Sequence, residues 1–481
     1  MASTDQVAQH VPVREGEYGD RVIAIEPGGV EYISLTERHG RPIDLFWTWL
    51  SPNLEFATVF IGCLAVAIFG AGFWTAAIAI ILGTALGSLT QGILSSWGPK
   101  FGVPQMVLNR GAFGFWGNLL PAGLNTFTAI FGWFIVNSVS GAFALEALTN
   151  LPFWMTFTFI VLLQVLVAFF GHNLVHAFEK FALIPLGIIF AVACVFILMH
   201  LDLGSKFAAG SGNQTAAFIL TLVAAFGYAA GWNPYASDYT RYQRPEANRR
   251  MIGWWAGLGV FISCVVLELA GATLVTVAGT KWGATDIPTA QMVHAMPGFL
   301  YTLTLLAIAL GAVAANAINL YSGAMSFLTL GIRMTLTQRR AIVAVAAGVV
   351  ALAIGIYFQA NVAPGSKYES FILTLAYWLA AWLGVVFTDY WMRRGNFGDE
   401  EVFYDRGYNT WQGWVSMLVA MVVSIYFFAD QYPFYVAAVP TSIPAVGDLT
   451  FVVGFVLAAV LYFALRGGKI TVDVKGEESR A

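Results

Sequence analysis

Runs of about twenty mainly apolar residues recur along the whole chain, and they limit its fold more than any other feature. An α-helix needs about that length to cross the hydrocarbon layer of a bilayer. Only 11% of the residues are charged, against about a quarter in soluble domains. We therefore predict an all-α polytopic membrane protein. The sequence predicts twelve spans, numbered here in chain order: 43–70, 73–96, 113–145, 153–171, 181–200, 215–237, 252–278, 297–330, 340–358, 369–391, 412–430 and 449–466.

The positions of lysine and arginine predict the orientation. If both termini are cytoplasmic, every Lys and Arg except Lys206, Lys281 and Lys367 falls on the cytoplasmic side. Positive residues concentrate on that side of membrane proteins. We therefore expect a multi-pass protein of the plasma or inner membrane with both ends in the cytoplasm. The tails 1–42 and 467–481 are short and polar, so we expect no enzyme domain in them.

Two spans contain proline and polar residues where a continuous helix is expected. Span one includes Ser51-Pro52-Asn53, and span six runs into Gly231-Trp232-Asn233-Pro234. Proline removes a backbone donor and interrupts a helix, although it costs little in a first helical turn. Two interrupted helices in corresponding positions of two halves indicate a transporter site. Because these two lie five spans apart, they predict a five-plus-five inverted repeat. Its parts are 43–200 (spans one to five), 215–391 (spans six to ten) and the added spans eleven and twelve in 412–466.

Amides in the middle of apolar runs are a second signal. Trp133 and Asn137 in span three are four residues apart, and Asn316 and Asn319 in span eight are three apart. Each pair therefore shares one helix face. A ring above an amide suits a planar ligand that forms hydrogen bonds, whereas Asn in a span can also bridge neighbouring helices. Spacing leaves both interpretations open.

Two acidic residues, Glu55 and Glu268, lie within or near apolar runs. Ionisable groups in such positions are costly and often functional. Each can serve as a proton carrier, or can pair with a polar neighbour or lie at an interface. No G-x-S-x-G or H-E-x-x-H motif and no phosphate-binding loop occurs in the sequence. We therefore expect a protein that is not an enzyme.

Four segments together resemble the nucleobase–cation symport-1 family, in its purine–cytosine permease branch. They are RHGRPIDLFWTWLSPN, SWGPKFGVPQMVLNRGAFGFWGN, GWNPYASDYTRYQRP and ANAINLYSG, and the resemblance covers residues 38–466. It implies the LeuT-like five-plus-five fold and symport of a nucleobase or a related planar heterocycle into the cell. The coupling ion is Na+ or H+, with no other cofactor. The implied partners are the substrate and the lipid bilayer, with no nucleic acid, and we expect a monomer.

The resemblance also implies a site midway through the membrane. There the substrate ring stacks between Trp133 of span three and an aromatic residue of span six. The match in span six is looser. It falls on Phe226-Gly227-Tyr228, expected at the break of the span, with Gly231 to Pro234 as the hinge. The residues implied to contact the substrate are Trp133, Asn137, Phe226, Gly227, Tyr228, Asn316, Asn319, Ser51 and Asn53.

The implied cation site uses backbone carbonyls of span one, from Phe46 to Ser51, together with span eight. Its candidate ligands are Phe46, Leu50 and Asn316. Residues 310–315, which precede Asn316, contain no Ser or Thr. This favours a proton as the coupling ion, although the sequence leaves both Na+ and H+ open. The alternative function is symport of an amino acid or another small solute by the same fold. Such a symporter would have a Gly-rich unwound span one, whereas this chain offers aromatic rings and amides.

Overall fold

The structure is a computed structural model that describes residues 11–14, 29–169, 172–278, 296–332, 348–349, 352–353, 355–357, 364–397, 400–431 and 434–467. Eight described helices are long and apolar enough to cross a membrane, and span one adds a bent pair. Two shorter apolar helices, Phe153–Phe169 and Thr450–Leu465, coincide with spans four and twelve. The all-α polytopic prediction is confirmed. Span nine lies mostly outside the described residues.

Span one is broken, as the sequence predicts. It consists of helix Asp44–Leu50, a 3-10 turn at Ser51–Asn53, helix Phe56–Cys63 and a π-helical turn at Leu64–Ile68. The two halves are bent by 62°. The other described spans are Phe73–Ser95 (two), Leu119–Thr149 with a π-helical stretch at Thr128–Trp133 (three), Phe153–Phe169 (four), His172–Met199 (five), Gln214–Ala230 with Asn233–Tyr235 and Ala236–Thr240 (six), Arg249–Ala278 (seven), Gly298–Thr329 (eight), Pro364–Met392 (ten), Trp411–Phe428 (eleven) and Thr450–Leu465 (twelve).

Short elements occupy the connections between spans. Strands Asp430–Gln431 and Tyr435–Val436 pair antiparallel between spans eleven and twelve. The remaining short helices and 3-10 turns are Leu35–Glu37, Gly98–Phe101, Gln105–Leu108, Arg110–Phe113, Lys206–Ala209, Glu400–Phe403, Ala438–Ser442 and Pro444–Val446.

Two predicted boundaries are wrong. Span three begins at Leu119 rather than at 113, because Gly114 adopts a positive φ of 71° that ends the preceding short helix. Span five begins at His172 rather than at 181. Its polar first turns fit inside the bundle, because His176 is hydrogen bonded to Thr48 of span one (3.0 Å) and Glu179 is buried.

Spans one, two, six and seven pack together, and spans three, four and five pack around span eight. Glycines let spans one and seven approach closely. A Cβ placed at Gly62 would lie 1.7 Å from the carbonyl oxygen of Glu268, and one at Gly271 would lie 1.8 Å from that of Val59. Any larger residue would push these helices apart. Span eight also touches the break of span one, so the break lies between the two groups of helices.

The segment before span one forms hydrogen bonds at the end of the bundle where spans six and eight finish. Arg241 donates to the carbonyl of Gly29 (2.9 Å) and to the hydroxyl of Tyr321 in span eight (3.2 Å). Arg38 donates to the carbonyl of Pro99, between spans two and three (2.7 Å). These bonds tie the two groups of helices together at one end.

Candidate substrate site

Three asparagine side chains form one hydrogen-bonded cluster between spans three and eight. The Oδ1 atom of Asn316 accepts from Nδ2 of Asn137 (3.1 Å) and from Nδ2 of Asn319 (3.1 Å). Its own Nδ2 donates to the Phe134 carbonyl (2.8 Å) and to the Ser138 hydroxyl (3.1 Å). All three amides are at most 1% exposed. The structure thus brings together the three amides that the sequence singled out.

The cluster leaves hydrogen-bond acceptors unused. The Oδ1 atoms of Asn137 and Asn319 are buried and have no partner among the described residues, and the same holds for the hydroxyl of Ser322. A buried polar atom without a partner is costly, because it has lost its bond to water. Two amide oxygens and a hydroxyl can therefore bind N–H donors of a ligand.

Trp133 lies one helical turn from Asn137, among aromatic residues of spans six and ten. Its ring meets that of Tyr228 at 5.4 Å with an interplanar angle of 84°, and that of Phe371 at 5.1 Å and 83°. Gly231 leaves space beside it, since a Cβ there would lie 3.0 Å from the indole ring. Trp133 is 6% exposed. The rings of Trp133, Tyr228 and Phe371 therefore form an aromatic surface next to the amide cluster.

The prediction for span six is wrong about the position of the break. The helix runs without interruption from Gln214 to Ala230, so Phe226, Gly227 and Tyr228 lie inside it. The turn at Asn233–Tyr235 comes later, because Pro234 has no N–H to continue the helical ladder. Successive residues of a helix point about 100° apart, so these three face different neighbours.

Each of the three residues has its own neighbour. The Phe226 ring contacts Phe451 of span twelve at 5.3 Å. Gly227 packs against span ten, because a Cβ placed at Gly227 would lie 2.9 Å from the Ile372 carbonyl oxygen. Among the three, the structure brings Tyr228 to Trp133.

Trp232 is a further aromatic residue of the candidate site, and it was not predicted as a substrate contact. It lies at the break of span six, next to Gly231, and is 7% exposed. Its indole N–H donates to Oδ1 of Asn53 in the break of span one (2.8 Å). Asn53 in turn donates to the carbonyl of Trp49 (2.7 Å). The signal was present in GWNPY, where a tryptophan immediately precedes the Asn-Pro pair.

A second link joins the break of span one to the helix that precedes the break of span six. The Tyr228 hydroxyl lies 3.1 Å from Oε1 of Glu55 and 2.5 Å from the Thr58 hydroxyl. Glu55 is 1% exposed and is the extended residue between the two halves of span one (φ −154°, ψ 172°). Ser51, the remaining substrate candidate of span one, is buried beside the carboxyl group of Glu179.

The candidate cation ligands have different neighbours. A Cβ at Gly259 of span seven would lie 2.6 Å from the Phe46 carbonyl oxygen and 3.2 Å from the Leu50 nitrogen. Span seven therefore packs directly on this backbone. The Asn316 oxygen already accepts two amide hydrogen bonds. A sodium site formed by Phe46, Leu50 and Asn316 stays a prediction.

A broken membrane helix with aromatic rings and amides gathered beside the break defines a secondary transporter rather than an enzyme. The model of a family described as permeases for cytosine/purines, uracil, thiamine and allantoin matches residues 32–454. The chain belongs to this family, which confirms the resemblance seen in its motifs.

Relatives and solved structures agree with this assignment. The purine-cytosine permease fcyB of Emericella nidulans is 27% identical over 95% of this chain and 93% of its own length. The vitamin B6 transporter TPN1 of Saccharomyces cerevisiae is 24% identical over 63% of this chain and 55% of its own. The chain shares its fold with Mhp1, a nucleobase-cation-symport-1 family transporter solved with bromovinylhydantoin bound. The TM-score is 0.71 at 20% identity, covering 93% of this chain and 96% of that one.

Proposed function

We propose that the protein carries a nucleobase such as cytosine or a purine, or a related planar heterocycle, into the cell by symport with a cation. The observation that supports this most strongly is the position of the Trp133 ring beside the Asn137–Asn316–Asn319 cluster. A flat ring can stack on the indole while its polar edge reaches the free amide oxygens. Stacking is worth about 1 kcal/mol beyond burial, and each matched hydrogen bond adds about as much.

The free acceptors favour substrates that carry N–H donors. Cytosine and adenine each carry a ring N–H and an exocyclic amino group, which can donate to the oxygens of Asn137 and Asn319. A ligand without such donors would leave these oxygens buried and unpaired. That penalty is about 1–3 kcal/mol for each group. Specificity among heterocycles therefore depends mainly on the amide pattern.

Alternating access explains how such a buried site can be loaded and emptied. In this proposal spans one, two, six and seven rock against spans three, four, eight and nine. Residues 43–200 and 215–391 are the two inverted repeats, and 412–466 adds two further spans. The chain acts as a monomer in the plasma or inner membrane, with both termini cytoplasmic. The observed packing of one, two, six and seven as a group supports this division.

Competition for uptake tests the substrate class. Cells that express the protein take up radiolabelled cytosine in the presence of excess adenine, hypoxanthine, allantoin, hydantoin or a neutral amino acid. The proposal expects competition by at least one of the heterocycles and none by the amino acid. Competition by the amino acid alone would show that the protein is another kind of symporter with the same fold.

A further inference from the structure

Glu55 is a buried acidic residue in the break of span one. It lies between the two halves of span one, and its Oε2 atom is buried with no partner among the described residues. No Lys, Arg or His of the described chain pairs with it. The titratable groups facing it are Tyr228 of span six, Tyr368 of span ten and Cys264 of span seven. A buried carboxylate without a cation is costly.

Counting protons shows which form of Glu55 fits the structure. Three oxygen–oxygen contacts within hydrogen-bond distance run in series from Glu55 to Tyr228 (3.1 Å), from Tyr228 to Thr58 (2.5 Å) and from Thr58 to the Asn53 carbonyl (2.6 Å). Each contact needs one proton between its two oxygens. The hydroxyls of Tyr228 and Thr58 supply two. A protonated Glu55 carboxyl supplies the third and completes a chain that runs in one direction.

This series of hydrogen bonds includes two residues, Tyr228 and Asn53, that contact tryptophans of the candidate substrate site. Tyr228 meets the ring of Trp133 edge to face at 5.4 Å. Asn53, whose carbonyl receives the last bond, holds the indole N–H of Trp232 with its side chain. Loss of the Glu55 proton leaves one contact of the chain without a hydrogen bond. The protonation state of Glu55 is therefore linked to Trp133 through Tyr228 and to Trp232 through Asn53.

We propose that Glu55 is the proton-binding site of the transport cycle and that the proton is the coupling ion. This inference rests on the proposed function. From the outside, the carboxylate takes up a proton from solution, an O–H bond forms and its charge changes from −1 to 0. The completed chain then fixes Tyr228 and Asn53, and the substrate binds. After the site opens inward, the O–H bond breaks and the proton enters the cytoplasm with one substrate molecule.

Glu268 provides a matched control. It is also fully buried in the same group of helices, and its Oε2 accepts from the Thr84 hydroxyl (2.7 Å). No chain of hydrogen bonds connects it to Trp133 or Trp232 within the described structure. Glu268→Gln thus shows the effect of neutralising a buried carboxyl group that has no hydrogen-bonded connection to the two tryptophans. Glu179→Gln tests the buried carboxyl group beside Ser51 in the same way.

Substrate affinity of the purified protein, measured between about pH 5.5 and about pH 8.5 by titration with cytosine, tests the proposal. In the wild type, Kd should rise by up to about tenfold per pH unit where Glu55 loses its proton, and binding should take up a proton from weakly buffered solution. Glu55→Gln, which stays neutral, should bind with a pH-independent Kd and without proton uptake. Glu268→Gln and Glu179→Gln should behave like the wild type.

Several results would overturn the proposal. One is a wild-type Kd that depends on sodium and not on pH. Another is pH dependence that survives in Glu55→Gln or disappears in Glu268→Gln or Glu179→Gln. If Glu55→Gln does not fold, Tyr228→Phe keeps the carboxyl group and removes the relay. Its pH midpoint should shift by about one unit or more, and an unchanged midpoint contradicts the account. If the wild type binds no heterocycle at any pH, the proposed function itself is wrong.

Discussion

The breaks in spans one and six differ in geometry and in the chemistry that they bring to the centre of the bundle. Span one bends by 62°, and its break contains a buried carboxyl group, Glu55. Span six is one apolar span over Gln214–Thr240, and Trp232 immediately precedes the 3-10 turn that interrupts it. One break therefore supplies an ionisable group, and the other supplies an aromatic ring.

The two breaks are not independent. Trp232 and Asn53 join them by a hydrogen bond, and Tyr228, in the helix that precedes the break of span six, contacts Glu55 in the break of span one. A change at either break should therefore alter the other. The next three predictions change residues of span six and leave the break of span one as it is.

Among the substitutions in span six, the largest effect is expected for Trp232→Ala. This change removes the ring at the break of span six and leaves the Asn53 oxygen buried without its donor. Truncation of a buried aromatic contact residue costs about 2–4 kcal/mol, so the apparent affinity for cytosine should fall roughly 30- to 1,000-fold. Trp74→Ala is the control, because Trp74 of span two is 64% exposed. Equal uptake by both variants would remove Trp232 from the site.

A smaller effect is expected for Gly231→Ala. The added Cβ would lie 3.0 Å from the Trp133 ring and 3.0 Å from the Tyr228 carbonyl. The indole must shift slightly, and a cost of about 1 kcal/mol should weaken substrate binding roughly fivefold. Gly123→Ala in span three is the matched control, since its Cβ would meet nothing within 4 Å. Saturation curves of uptake measure both variants, and identical KM values would contradict the crowding argument.

The smallest effect is expected for Phe226→Leu. Its ring contacts Phe451 in span twelve, so the variant should lose about 1 kcal/mol of stability and change KM by less than about twofold. Thermal unfolding followed together with uptake distinguishes the two quantities. A KM change as large as that of Gly231→Ala would restore Phe226 as a substrate residue.

The sequence predicts the spans well because hydrocarbon thickness sets their length directly. It also identifies the break in span one, where Pro52 follows a polar residue, and the three amides, because Asn is costly inside an apolar run. These signals are local. Each depends on one residue in its immediate surroundings, so spacing along the chain is enough to read them.

The rest of the site depends on geometry that spacing does not record. The resemblance placed the break of span six at Phe226-Gly227-Tyr228, whereas the helix continues to Ala230 and the 3-10 turn lies at Asn233–Tyr235. Trp232 was therefore predicted as part of the hinge and not as a residue of the substrate site. Phe371 was not predicted because an aromatic residue in an apolar span is equally typical of a lipid-facing position. The link between Glu55 and Tyr228 is a tertiary contact between distant segments.

Uptake of radiolabelled cytosine by Asn137→Ala tests the central claim most directly. Asn125→Ala is its matched control, because Asn125 also joins spans three and eight through a buried hydrogen bond, to Ser326 (2.7 Å). The account predicts that Asn137→Ala abolishes uptake while Asn125→Ala retains it, at equal amounts of protein in the membrane. Unchanged uptake in Asn137→Ala would contradict the assignment of the substrate site.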